Sequence, residues 1–180
     1  MEIIIAIIVA LIIIIVIWYI ATSNRLNRTI VKIEEADSGI DVALTKRYDV
    51  LTKMMDTVKA YAKHEKETLF EVINLRKGMT LEEKNAENAK MSHNLEKINI
   101  VAESYPELKS SDNYKKLQQS IVDVEENLQA ARRMYNSNVS IFNQMIVTFP
   151  TSIIANSKGM TKKIFFEADE NKKKDVKINL

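Results

Sequence analysis

The chain has no cysteine in its 180 residues. That excludes disulfides, thiolate metal sites and a cysteine nucleophile, but it suits either side of a membrane. Glycine and proline are also scarce, at three and two residues. Gly39, Gly78 and Gly159 supply little of the turn chemistry that hairpins need, so long helices are expected rather than strands. There are only two histidines. His64-Glu65 opens like a zinc-protease helix, yet Thr68 stands where the second histidine would have to be. A carboxylate-bridged di-iron bundle needs Glu-x-x-His on two helices, and Tyr61 and Lys90 fill the glutamate places before His64 and His93. No glycine-rich phosphate loop and no GxSxG elbow occur. Paired carboxylates such as Glu34-Glu35 and Glu125-Glu126 read as solvated helix faces. No catalytic residue, metal or cofactor is therefore expected. Charge of one sign is lacking as well. The first 21 residues hold one acid and no base, and the remainder carries 26 bases against 23 acids. So even a balance implies no large nucleic-acid footprint.

What the chain does have is a long apolar run. Ile3 to Ala21 is nineteen residues without a charge. As a helix it reaches roughly 28 Å, close to a bilayer's hydrocarbon thickness. Ile3 and Leu11 would face lipid, and Trp18 and Tyr19 sit where an aromatic belt meets the headgroups. A cleaved signal peptide is the alternative, with Ala21-Thr22-Ser23 as its cleavage site. It would want a positive start and a shorter core, whereas Glu2 is the one charged side chain before this run. Residues 1–22 are thus read as a transmembrane anchor. Arg25, Arg28 and Lys32 follow the run and nothing basic precedes it, which places the remainder in the cytoplasm and Met1 outside.

The remaining 159 residues can form one domain with a real core. Leu117, Ile121, Val124, Leu128, Ala131, Tyr135, Asn138, Phe142, Met145 and Phe149 step alternately by four and three, a sustained heptad stripe. Ser110 or Ser111 can cap its start and Pro150 ends it. Ile40, Leu44, Tyr48, Leu51, Met55, Val58 and Ala62 form a similar stripe, extended back toward the anchor by Leu26, Ile30 and Ile33. No proline separates anchor from helix; Ser38-Gly39 is the soft point. The middle segment has two apolar patches, Leu69-Val72-Ile73 and Met91-Leu95-Ile98-Ala102-Tyr105. Gly78 can stop one helix between them, and Thr80 with Glu83 spells a capping box that starts another. Two helices, or one kinked helix, are expected there. The fold class is all-α: an N-terminal transmembrane helix followed by an elongated antiparallel three- to four-helix bundle over residues 23–157. Residues 158–180 read as an extended segment and charged tail, in which Lys162-Lys163 and Lys172 to Lys174 are offset by Glu167, Asp169, Glu170 and Asp175.

A family resemblance rests on several ordered motifs. Ile40-Asp41-Val42 followed by Lys46-Arg47-Tyr48-Asp49 resembles the LemA family, as does the run from Val58 to Glu65. Tyr105-Pro106-Glu107-Leu108-Lys109, Ala131-Arg132-Arg133-Met134-Tyr135-Asn136, Phe142-Asn143, Phe149-Pro150 and Phe165-Phe166-Glu167 continue it. It covers about residues 24–180. Thr52 replaces a frequent proline, and a frequent tryptophan near Asp37 is absent; both departures touch packing more than chemistry. The resemblance implies a bacterial inner-membrane protein with one N-terminal span and a helical bundle. A magnetosome membrane protein among the family's relatives implies a membrane-organising role, and a magnetosome-type organelle membrane, as alternatives.

Arg47, Tyr48, Asp49, Arg132, Tyr135, Asn136 and Asn143 are the unusual polar residues on or beside the stripes. They are expected to form either a hydrogen-bonded network fixing helix register or a surface for a partner. The expected function is a non-enzymatic, membrane-anchored interaction or scaffold protein. Its partners would be the lipid bilayer, a membrane or cytoplasmic protein of unknown identity, and other copies of itself in a homo-oligomer; no nucleic acid is expected. An extracytoplasmic enzyme or enzyme accessory is the remaining alternative.

Overall fold

The structure, a computed structural model, describes residues 1–62 and 70–166. His64, Leu69, Glu167 and the charged stretch from Asn171 to Asp175 lie outside the described residues. Five helices are present among those described: α1 (Glu2–Tyr61), α2 (Leu81–Ser104), α3 (Pro106–Ser110), α4 (Asp112–Val147) and α5 (Thr151–Ser157). The described residues contain no strand. The all-α class and the long apolar N-terminal helix followed by packed helices agree with the sequence pattern. The chain divides into two compact units, Met1–Ser38 with Arg133–Phe165, and Gly39–Arg132 with Phe166. Helices α1 and α4 contribute to both.

Helix α1 is unbroken for 60 residues. Ser38-Gly39 stays helical, and the glycine there costs its weaker helix propensity. In the first unit, α1 is long and apolar enough at its start to cross a membrane. Beyond that stretch α1 runs antiparallel to α4. Asn138 Nδ2 donates to the Lys32 carbonyl at 3.1 Å, and Thr29 Oγ1 lies 3.8 Å from Met145 Sδ. Leu26, Ile33 and Ala36 are buried on α1, Val139, Phe142, Met145 and Ile146 on α4, and Ile154 and Ala155 on α5. α4 stops at Val147, three residues before the proline, and Phe149 is 77% exposed rather than a core member of the stripe.

In the second unit, Asp41 pairs with Lys84, and Arg47 with Asn88 and Ser92. Rising numbers on α1 thus meet rising numbers on α2, so these two helices run parallel. Arg47 also meets Glu125, and Tyr114 Oη reaches Asn99 Oδ1 at 3.4 Å, so α4 runs antiparallel to both. A parallel pair needs a return crossing, which residues 70–79 provide. The sequence places a helix on Val72 and Ile73; the structure has non-helical backbone there instead. Two adjacent β-branched residues weaken the helical option. Side chains of α2 then satisfy the segment's backbone, as described below. Gly78, at φ 79°, turns the chain, and Thr80 and Glu83 form the capping box that starts α2. Ser111 Oγ accepts the Tyr114 N–H at 3.3 Å and caps α4. The apolar core joins Leu51, Met54 and Val58 to Met91, Ile98, Leu108, Tyr114 and Ile121.

The seam of α1 differs from the sequence stripe by one position at two places. Arg47 and Met54 are buried, at 2% and 0% exposure, while Tyr48 and Met55 are half-buried beside the core. A step of three then four from Leu44 is as good a heptad as four then three. Arginine holds the inner place because partners for its charge come from both neighbouring helices.

Candidate functional site

The inner face of α2 carries the chain's densest buried polar row. Lys84, Glu87, Asn88 and Asn94 are all buried on one face, Lys84, Asn88, Met91 and Asn94 following at steps of four, three and three, before Ile98 returns the seam to apolar packing. A buried polar group costs free energy unless it is bonded. Lys84 Nζ lies 2.7 Å from an Asp41 carboxylate oxygen. Asn88 accepts from Arg47 Nη1 through its side-chain oxygen and, at 3.1 Å, through its backbone carbonyl. Ser92 Oγ accepts from Arg47 Nη2 at 3.1 Å, and Glu125 of α4 completes an ion pair with the same guanidinium. Burial lowers the Arg47 pKa, and the Glu125 carboxylate opposes that shift. The guanidinium stays charged at any physiological pH, because arginine is not deprotonated in proteins.

The other two members of the row clasp the return segment. Asn94 takes the Glu71 backbone in both directions: its Oδ1 accepts the N–H at 2.8 Å and its Nδ2 donates to the carbonyl at 2.9 Å. Glu87 accepts the Asn74 N–H at 2.8 Å and pairs with Lys90 at 2.7 Å. Burial pushes the Glu87 carboxyl up, but the bonds from Lys90 and Asn74 more than reverse this and hold it below the usual range. One α2 face therefore fixes α1, α4 and an extended strap in register.

The residues singled out in the sequence fall into separate local arrangements. Arg47 is the buried hub just described; Asp49 is exposed and Tyr48 leans on the apolar core. Arg132 lies over the Phe166 ring, 4.6 Å from its centroid, with Phe166 buried. In the first unit, Tyr135 Oη donates to the Ile164 carbonyl at 3.3 Å, and Asn136 is half-buried. Asn143 holds Lys163 by two bonds, donating to its carbonyl and accepting its N–H, both at 2.8 Å. Asn143 thus repeats, on α4, the amide clasp that Asn94 makes on α2. Of the anchor residues, Ile3, Leu11 and Tyr19 are exposed and Trp18 is half-buried.

Sequence reasoning missed Lys84, Glu87, Asn88 and Asn94. Steps of three or four back from Met91 land on Asn88, Glu87 and Lys84, and a step of three forward lands on Asn94, so polar residues at seam positions were the available signal. Chemically the row is a set of neutralised charges and saturated amides. His93, exposed, sits 3.5 Å from Glu71 and 3.8 Å from Glu96.

The LemA family's model matches residues 36–180. The chain belongs to the LemA family. It is 30% identical over 163 residues to Protein LemA of Metamycoplasma hominis, covering 88% of this chain and 74% of that one. Magnetosome protein MamQ of Magnetospirillum gryphiswaldense is 28% identical over 72 residues, 40% of this chain and 26% of its own length. Magnetosome protein MamQ 2 of Paramagnetospirillum magneticum is 30% identical over 73 residues, 41% and 27% of the two chains. The LemA-like motifs supply the structural joints. Lys46 to Asp49 brings in buried Arg47, Tyr105 to Lys109 forms the α2–α3 corner around fully buried Leu108, and Arg132 from the Ala131–Asn136 motif holds Phe166 from the last. Family and apolar N-terminal helix together mark a membrane-associated, single-pass LemA protein.

Proposed function

We propose that this chain is a membrane-anchored helical scaffold that works by binding rather than by catalysis. The observation that carries this reading is α1 itself. One uninterrupted helix supplies both the apolar span and the seam residues Ile40, Leu44, Arg47 and Leu51 of the bundle. The domain is thereby tied directly to its anchor, and tethering raises the local concentration at which weak contacts suffice. The buried polar row fits this reading, because its groups are spent on register. Arg25, Arg28 and Lys32 favour a cytoplasmic domain. The deciding experiment is photo-crosslinking of the full chain in native membranes, with the reactive group at exposed Val122 or Ile100. Recovery of a discrete protein adduct that survives salt washing is expected. Adducts to lipid alone from both sites would overturn the scaffold reading.

A membrane-organising role is the second reading, and the MamQ relatives favour it. Its mark would be clustering or curvature of liposomes carrying the full chain, in the absence of any other protein.

A further inference from the structure

The end of the first unit from which the span leaves carries exposed apolar side chains. Val147, Phe149 and Ile153 are 58%, 77% and 57% exposed within seven residues. Their depth follows from two contacts. Asn138 lies opposite Lys32, and the two helices are antiparallel. Nine residues along α4 from Asn138 is Val147, and nine residues back along α1 from Lys32 is Ser23, each about 14 Å away. Val147 therefore stands level with Ser23. Lys158, just beyond α5, bonds to Ser23 and puts the far end of α5 at the same level. Ser23 is two residues past the apolar run, where the hydrocarbon gives way to headgroups.

We propose that this end of the first unit, Val147, Phe149 and Ile153, is seated in the interface of the bilayer that α1 crosses. The inference rests on the anchored reading and adds a second, independent membrane contact. Three features identify the occupant as lipid. The patch is continuous with the span, since it lies level with the span's end. An aromatic and two aliphatic side chains suit the boundary between acyl chains and headgroups. Basic groups ring the same level: exposed Arg25 and Arg28 line an open groove on α1 with Ile141 and Met145 of α4. Arg25, four residues past Ala21, is about 6 Å beyond the hydrocarbon, within the headgroup layer. An anionic headgroup matches that charge. Seated this way, the first unit touches the bilayer at two places, the span and this patch.

The cysteine-free chain allows a direct test in the full-length protein, reconstituted into phosphatidylcholine–phosphatidylglycerol liposomes. Single nitroxide labels go on Val147→Cys and Ile153→Cys, with Val9→Cys in the span and Met134→Cys as controls. Met134 is 62% exposed and lies on α4 about 20 Å further from the span's end than Val147. Collisions with molecular oxygen should rise, and collisions with a water-soluble nickel chelate should fall several-fold, at Val147 and Ile153 relative to Met134. Nickel access at both sites equal to that at Met134, with Val9 protected, would overturn the seat and leave the anchor standing. Nickel access at Val9 as well would overturn both. Dipolar broadening between labels at Ile153, without gained oxygen access, would assign the face to a second copy of the chain and likewise overturn the proposal.

Discussion

Arg47 is the residue on which the second unit turns. Its charge is taken out of water and returned three partners from two helices: Asn88, Ser92 and Glu125. Arg47→Ala leaves Asn88 buried without its donor and removes the packed arginine stem. It should lower unfolding stability by about 3 kcal/mol, the low end for breaking a buried pair, since Glu125 remains 31% exposed and can rehydrate. Arg47→Met with Asn88→Leu replaces the charged contact by apolar volume and should recover most of that loss. Denaturant unfolding of the full chain in detergent measures both; a loss below about 0.5 kcal/mol for the alanine variant would mean that the network adds nothing beyond a surface pair. Glu87 gives a pH signature of known sign. Its folded pKa lies below the ordinary value, so the unfolded chain takes up the proton first as pH falls. Its contribution is full at neutral pH and fades as pH drops through the ordinary glutamate range, about 4.3, towards the depressed folded value. Thermal midpoints of the native chain and Glu87→Gln should therefore differ most at neutral pH and converge on acidification. A gap that widens in acid would reverse the assignment.

At the scale of elements, the sequence was most legible where one residue type answers one physical demand. The apolar run, the Thr80–Glu83 capping box and the serine at the head of α4 each appear where the pattern places them. The errors share a cause. The return segment reads as helix because Val72 and Ile73 are apolar and close in sequence. Its extended form depends on Asn94 and Glu87, 23 and 13 residues further along, which supply the backbone partners a helix would have provided internally. The choice between Arg47 and Tyr48 for the seam is likewise set by groups on α2 and α4. Phe149 continues the heptad count but lies past the helix end, so its spacing carries no burial. A period in sequence tells which residues share a face; it does not tell whether another element covers that face. The two asparagine clasps, Asn94 on Glu71 and Asn143 on Lys163, are the general case, because their partners are backbone atoms, which no side-chain pattern announces.

For the whole molecule, function depends on which side of the membrane the helical domain occupies. The basic residues Arg25, Arg28 and Lys32 after the apolar run, against none before it, favour the cytoplasmic side. Acids nearby, Glu34, Glu35 and Asp37, do not cancel this, because orientation follows lysine and arginine near the span's ends rather than net charge. The absence of native cysteine makes the question clean. Val122 is 49% exposed on α4, so Val122→Cys presents a single thiol without disturbing the core. In intact cells an impermeant maleimide should leave it unlabelled, and permeabilising the membrane should expose it to prompt reaction. Labelling before permeabilisation would place the domain outside the cytoplasm. It would then direct the search for partners to that compartment and count against the cytoplasmic part of the proposed function, while leaving the bilayer seat of Val147, Phe149 and Ile153 unaffected, since that contact belongs to whichever leaflet the domain faces.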